Sequence, residues 1–317
     1  MTVAAETRTL RPRRRPRTRR ILRGSVPYLL ILPVIVVITA ILGYPLYKLA
    51  TLSFQEYGLP ELIQRKGEWI GFDNYASVLR DEVFWDVLLR TVLFTIANVG
   101  LTIVLGTLIA LLLVKVSTWV RVLLTAGLIL AWSMPAVVAV QVWFWMTNFQ
   151  NGILNYVLTE LRIGDYNQHD WYATSFSKLA MVTMLIVWGA IPFVTITVYA
   201  GLAQVPRELR EAAEIDGASP LRVFRDVTFP ILKPIFLILT SLSIIWDFGV
   251  FTQPYLLIGP SQVDVTNYVM GVYVFIEGYE HTNFGRGAAI SLLMLLIVAV
   301  LSVFYVRRMV KMGDART

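Results

Sequence analysis

The sequence predicts an all-α membrane protein with six transmembrane helices, both termini in the cytoplasm, and one structured cytoplasmic loop. Three observations predict it. Hydrophobic residues make up 56% of the 317 residues, charged residues only 15%, and mean hydropathy is +0.65. An ordinary soluble chain carries about 25% charge, so a soluble globule of this composition would leave too much apolar surface in water. Apolar runs of spanning length recur six times. Lys and Arg are divided unevenly between the two sets of connecting loops.

A spanning helix needs about 20 apolar residues, rising about 1.5 Å each, to cross about 30 Å of hydrocarbon. Runs near 26–47, 91–114, 122–147, 179–203 and 287–306 meet this length without a charged residue. A run near 234–259 is apolar except for Asp247, near its middle. Prolines 135 and 192 are placed to break the third and fourth spans locally, freeing backbone groups toward a cavity. Six spans put both ends on one side, and the charges choose it. Of the 28 Lys and Arg, 20 fall in the N-terminal tail, the loops near 115–121 and 204–233, and the C-terminal tail, leaving 8 on the other side. That majority marks the cytoplasmic side.

Residues 1–25 form a basic tail, expected to be disordered and to lie near anionic headgroups rather than on nucleic acid, because a span starts at Val26. The first apolar run exceeds the usual signal-peptide core of about 7–15 residues, and no small-residue cleavage site follows it, so no cleavable signal is expected. Residues 311–317 form a short cytoplasmic tail. Trp119, Trp143 and Trp145 fall at span ends, and Trp69, Trp85 and Trp171 in external segments, as interfacial aromatics do. Asp73 and Asp81 are placed to cap short external helices, with Phe84, Trp85 and Leu88 on the headgroup plane.

Several chemistries are excluded. Cysteine is absent and only His169 and His281 are present, so thiol chemistry and histidine-rich metal sites are ruled out. No G-x-x-x-x-G-K-[ST] phosphate loop occurs, so the chain is not expected to hydrolyse ATP itself or to hold a cofactor.

The loop 204–233 has internal structure. Pro206 suits a first helical turn, Arg207–Ile215 are mostly helix formers, and Gly217 suits a left-handed helix end. Ser219 followed by Pro220 reads as an N-cap with proline at the first helical position. Pro230 and Pro234 are expected to stop that second, short helix. The prediction is two short helices joined by a glycine elbow. Leu209, Ala212, Ala213 and Ile215 make a small apolar knob among Glu208, Glu211 and Glu214. Such a knob suits a groove on a partner, although a loop that merely caps the bundle is equally compatible with the residues.

Glu211-Ala212-Ala213, Gly217 and Pro230 also carry a resemblance. They match the spacing of the EAA loop, E-A-A, three residues, G, nine residues, I-x-L-P, with Val227 for Ile and Phe229 for Leu. Ile215-Asp216-Gly217-Ala218-Ser219 is similar too. On this motif the chain resembles binding-protein-dependent ABC transporter permeases. Further segments resemble the sugar-uptake class, the maltose and glycerol-phosphate type inner-membrane subunit. They are Pro33, Tyr44-Pro45 and Ser53-Phe54, the Gly71–Tyr75 segment, the Gly152–Asn155 turn, and Tyr255-Leu256-Leu257. The family's T-G-G-G-P run is shortened here to Ile258-Gly259-Pro260.

The resemblance implies a permease domain over 26–310 whose 206–230 loop seats in a cytoplasmic ATPase subunit. Glu211 would pair with a basic residue there, Ala212 and Ala213 would allow close approach, and Gly217, next to Asp216, would form the elbow. It also implies a second permease subunit, two ATPase subunits that bind the ATP, and an extracytoplasmic solute-binding protein, in the inner membrane of a bacterium or archaeon.

Asp247 is the candidate solute contact. An ionisable group facing lipid costs about 2.5–3.5 kcal/mol on insertion scales, so Asp247 should face the bundle interior or water. It is either a hydrogen-bond acceptor for sugar hydroxyls or a structural partner of Asn98, Ser133 or a backbone group. Trp132, Trp188 and Trp246 lie away from the span ends, where aromatic faces can stack on the apolar faces of sugars. Plain helix packing is the alternative for each. A secondary transporter or channel for a small polar solute is the rival reading. It would need ion-coupling groups, and one carboxylate in six spans supplies few.

The topology is directly testable. Labelling or reporter fusions should place Arg20, the 206–225 loop and Arg316 in the cytoplasm, and Trp69, His169 and His281 outside. An external 206–225 loop would end the importer reading.

Overall fold

A computed structural model describes residues 17–314. The chain divides into two compact units, residues 1–51 and 52–317. In the first, α1 (Arg17–Ile38) passes through a π turn at Thr39–Gly43 into α2 (Tyr44–Ser53). Helix therefore starts nine residues before the expected boundary at Val26, and residues 17–25 of the basic tail are helical. Arginine is a good helix former, and α1 offers these residues a helix to extend. Residues 1–16 of the expected tail lie outside the described residues, as do 315–317. Residues 28–53 make one apolar helix with no buried side chain in its hydrophobic window.

The second unit begins with a small layer at the end of the bundle away from the 204–233 loop. Strands β1 (Gln55–Glu56) and β2 (Glu68–Trp69) pair antiparallel, Gln55 opposite Trp69, around α3 (Leu59–Gln64). Helix α4 (Asp73–Arg80) follows. Asn74 donates to the Ser53 and Gln55 carbonyls at 3.0 and 2.9 Å, and the Tyr75 hydroxyl donates to Ser53 Oγ at 2.8 Å. These bonds account for the Asp-Asn-Tyr sequence at 73–75.

Asp73 is the first residue of α4, not its cap. Asp81 does cap a helix, accepting from Val83 N at 2.9 Å, but the helix is the long α5 (Glu82–Lys115). The second span thus extends nine residues further out than the apolar run, because the N-cap rather than the hydropathy starts it. Phe84 is consequently buried against Val78, Val87 and Tyr273 instead of lying on a headgroup plane.

The expected third span is not one helix. α6 (Thr118–Trp132) and α7 (Ala136–Met146) meet at 101°. Pro135 has no N–H to continue the ladder and takes extended backbone (ψ 138°), and its carbonyl then accepts from Ala139 N at 3.0 Å to start α7. After α8 (Ile153–Glu160), the fourth span α9 (Ser175–Leu202) runs unbroken through Pro192, contrary to expectation. Pro192 only removes the ladder donor for the Trp188 carbonyl, and packing on both sides holds the helix.

The loop 204–233 contains α10 (Arg207–Ile215) and α11 (Pro220–Val223), as two-helix spacing requires. Pro230 and Pro234 do not stop the second helix. It passes through a π turn at Phe224–Thr228 into α12 (Phe229–Phe248), one continuous apolar helix from Pro220 to Phe248. Phe229 N–H bonds five residues back to Phe224, and this widened turn accommodates Pro230, which has no N–H to place.

α12 ends eleven residues short of the expected Gly259. Pro254 would lack a donor for the Val250 carbonyl and clash with it, so the helix breaks at Gly249–Phe251 and restarts as α13 (Thr252–Ile258). α14 (Met270–Phe275) and a π turn lead into α15 (Phe284–Asp314). Residues 311–314 of the expected C-terminal tail are therefore part of this last helix.

The unit is all-α apart from the β1–β2 pair. Among the described residues of the chain, five helices are long and apolar enough to cross a membrane, or six with the bent pair α6–α7. α9 lies along α5, and α12 packs on both and on α15. Val194, Val198, Leu202, Leu232 and Leu239 fill the core at the coupling-loop end, and Met181, Leu185 and Leu257 belong to the core at the opposite end. At that opposite end Arg286, in the first turn of α15, pairs with Asp81. It also lies 3.3 Å from Glu277 and bonds the Tyr273 and Ser77 hydroxyls, tying α15 to α4 and α5.

The α5–α9 contact depends on Gly106. A Cβ there would sit 2.7 Å from Val194 Cγ1 and 2.9 Å from its Cβ. Val194 is fully buried and β-branched, so it cannot turn aside. Gly106→Ala should therefore cost about 1–3 kcal/mol through overpacking, seen as a lowered unfolding midpoint in detergent. Gly100→Ala on the same helix meets open space and should be neutral or slightly stabilising.

Candidate translocation pathway and coupling loop

Two helix breaks converge on one cavity. Trp132 ends α6, Ala136 begins α7, and Trp246 and Asp247 occupy the last turn of α12. All four line a cavity of about 270 Å³, together with Trp188 of α9. Trp132, Trp188, Trp246 and Asp247 are thus brought together by the fold. Trp132 and Trp246 lie at helix ends next to breaks, rather than within straight spans.

Phe193 joins them, and the sequence reading passed over it. Its ring stacks on Trp132 at 6.2 Å and meets Trp246 edge-on at 5.5 Å. Gln253, at the start of α13, and Met134, in the first break, also line the cavity. Phe193 sits five residues after Trp188 and next to Pro192, a spacing that a search for tryptophans does not register.

Asp247 is 8% exposed. Its side chain makes no hydrogen bond or ion pair among the described residues. Neither Asn98 nor Ser133 is its partner, since the Ser133 hydroxyl donates to the Leu130 carbonyl at 2.8 Å and both Asn98 side-chain atoms are buried without a partner. The helix-tie alternative for Asp247 therefore lacks a partner among those residues. The cavity combines three indoles, a phenyl ring, a carboxylate and a carboxamide. Flat apolar faces beside a few polar groups suit a ligand that offers both apolar faces and hydroxyls.

Asn155 explains the Gly152–Asn155 turn. Its Nδ2 donates to the His169 carbonyl at 2.9 Å, and its Oδ1 accepts from the Trp171 indole N–H. Trp171 is therefore packed in the loop, stacked on Tyr166 at 5.5 Å, rather than floating at the lipid interface. Trp143 likewise packs on Trp188 at 6.3 Å, whereas Trp119 and Trp145 stay exposed at helix ends. Tyr172 shares a hydrogen bond with Thr147 at 2.7 Å, and burial raises its phenol pKa despite that bond. Hydrogen bonds from Thr266 at 2.6 and 2.8 Å hold the Asp264 carboxyl below the usual carboxylate range.

Within the 204–233 loop, α10 ends in an elbow. Gly217 has φ +79°, and its N–H donates to Glu214 O at 3.0 Å. Ala218 N–H reaches back to Ala213 O at 2.9 Å, closing α10 as a left-handed cap does. Ser219 then caps α11, accepting from Arg222 N. Glu211, Ala212 and Asp216 are exposed, and Glu211 makes no ion pair among the described residues. Leu209 is 50% and Ile215 86% exposed, so the larger apolar side chains of the knob lie open. Pro230 sits in the first turn of α12, beyond the π turn.

Residues 102–311 match the model of the family described as binding-protein-dependent transport system inner membrane component. The chain is 42% identical over 288 residues to the diacetylchitobiose uptake system permease protein DasB of Streptomyces coelicolor, covering 91% of this chain and 88% of that one. It is 30% identical to the trehalose/maltose transport system permease protein MalF of Thermococcus litoralis, covering 90% and 93%. A solved bacterial ABC transporter involved in alginate import shares its fold, with a TM-score of 0.77 at 18% identity over 93% of this chain and 98% of that chain. The chain belongs to the family of binding-protein-dependent transport system inner-membrane components: it is a multi-pass, non-catalytic permease component of an ABC importer.

Proposed function

We propose that the cavity between the two helix breaks lies on the path of a sugar or sugar-like solute, and that the chain is the maltose or glycerol-phosphate type of permease subunit. The observation that carries this is the convergence of Trp132, Trp188, Phe193, Trp246 and Asp247 on one cavity. Sugars have apolar C–H faces that stack on indoles and hydroxyls that need acceptors such as the Asp247 carboxylate. Relatives named for diacetylchitobiose, trehalose/maltose and arabinooligosaccharide transport support a carbohydrate cargo.

In this reading both termini and the 206–230 loop face the cytoplasm. The chain assembles with a second permease subunit, two ATPase subunits and an external solute-binding protein. Glu211, Ala212 and Ala213 seat in the ATPase, and Asp216, Gly217 and Pro230 transmit its movement. The continuous helix from Pro220 to Phe248 joins the elbow to Asp247, so a tilt imposed at the loop reaches the cavity without an intervening hinge.

Asp247→Leu removes both polar functions and should insert at least as well as the native residue. Uptake into vesicles, normalised to assembled complex, should be abolished in Asp247→Leu and partly retained in Asp247→Asn. Full activity of the leucine variant would take Asp247 off the path. Assembly falling in step with uptake would assign it to structure.

Gly217→Val places a β-branched residue at φ +79°, a strain of about 1–3 kcal/mol. Membrane insertion should be normal while binding-protein-stimulated ATP hydrolysis and uptake fall together. Normal uptake would show that the elbow geometry is not used.

A further inference from the structure

A second cavity, of about 740 Å³, lies between α5, α12 and α15 at the coupling-loop end of the bundle. Its wall is almost wholly apolar, with Leu108 and Leu111 from α5 and Phe236 and Leu237 from α12. Leu221 and Phe224 bring it against the elbow segment. Its charged lining residues are Lys233, at the start of α12, and Arg308, near the end of α15, with Tyr305 one turn from Arg308. No carboxylate lines it. Both cations are exposed and neither has an ion pair among the described residues, and the Arg308 guanidinium lies 5.5 Å over the Phe304 ring.

We propose that this groove binds an anionic phospholipid, its acyl chain along α5 and α12 and its phosphate between Lys233 and Arg308. The charge pattern selects that occupant. An apolar slot lined by two cations that have no ion pair among the described residues complements a molecule with a hydrocarbon tail and a negative head. Basic pockets between spanning helices on the cytoplasmic side bind such headgroups, and the cytoplasmic leaflet supplies them. A helix of another subunit seated here would have to bring carboxylates to the same end to avoid leaving two charges unpaired. Because Pro220, Leu221 and Phe224 line the slot, an occupied groove braces the segment that joins the elbow to α12. The proposal rests on the cytoplasmic placement of the 206–230 loop, which the labelling experiment above decides separately.

The test uses the assembled transporter in phosphatidylcholine vesicles carrying a trace of photoreactive phosphatidylglycerol or photoreactive phosphatidylcholine. Labelling of residues 220–240 by the phosphatidylglycerol probe should exceed that by the phosphatidylcholine probe. It should fall roughly thirtyfold in Lys233→Gln/Arg308→Gln, given about 1 kcal/mol per cation near the membrane surface. Lys233→Arg/Arg308→Lys, which keeps both charges, should retain it, and so should Arg307→Gln, which leaves the groove intact. Equal labelling by the two lipids, unchanged labelling in the double glutamine variant, or loss in the charge-conserving variant would overturn the proposal. A photoreactive residue at position 237 that captures the second permease subunit instead of lipid would overturn it too. Specific labelling in a complex whose ATP hydrolysis ignores the binding protein would count against the importer reading alone.

Discussion

The constraint on which the structure depends is the backbone's need for hydrogen-bond partners where water is absent. A peptide group left unpaired in hydrocarbon costs several kcal/mol, so irregular backbone at membrane depth survives only where it is buried in protein or lines a cavity. This chain breaks two of its apolar segments, at Ser133–Pro135 and Gly249–Phe251, and both breaks open on the same cavity. The unbroken α9 closes the third side with Trp188 and Phe193. Breaks, aromatic rings and the Asp247 carboxylate are therefore one arrangement, since the polar space that tolerates free backbone also tolerates a carboxylate.

The second consequence is mechanical. Pro230 and Pro234 both lie within the continuous Pro220–Phe248 helix, and the π turn at Phe224–Thr228 accommodates the donor that Pro230 lacks. At about 1.5 Å per residue, such a helix is about 40 Å long. One end is tied to α10 by the Gly217 elbow, and the other carries Trp246 and Asp247. The helix between them is unbroken, with its π turn near the elbow end.

A layer of polar contacts fixes the opposite end. Arg286 joins α15 to the Asp81 cap of α5 and to Tyr273, while Asn74 and Asn155 each bind backbone carbonyls of separate segments. These partly buried, charge-assisted or multidentate contacts hold connections that have little apolar surface of their own. The bundle is thus pinned at that end by polar bonds and packed within by small residues such as Gly106, which lets α5 and α9 approach closely.

Composition and local pattern by themselves determined the membrane class, the six apolar segments, the E-A-A–glycine elbow and the choice of Asp247 and three tryptophans as unusual. Each follows from a local rule: hydropathy for spans, positive φ for Gly217, and the cost of an ionised group in lipid for Asp247. Helix ends were legible only where a cap or proline acted on its own. Pro135 broke its segment as its chemistry requires, yet Pro192 and Pro230 did not, because packing around α9 and the π turn before α12 absorbed their missing donors. Hydropathy could not place the start of α5 at the Asp81 cap or the end of α12 before Pro254. The tertiary structure alone decided that Phe193 and Gln253 share the cavity with Asp247, that Asp247 lacks a partner among the described residues, and that Lys233 and Arg308 line one apolar groove. These residues are distant in sequence, and only the packing of α9, α12 and α15 brings them together.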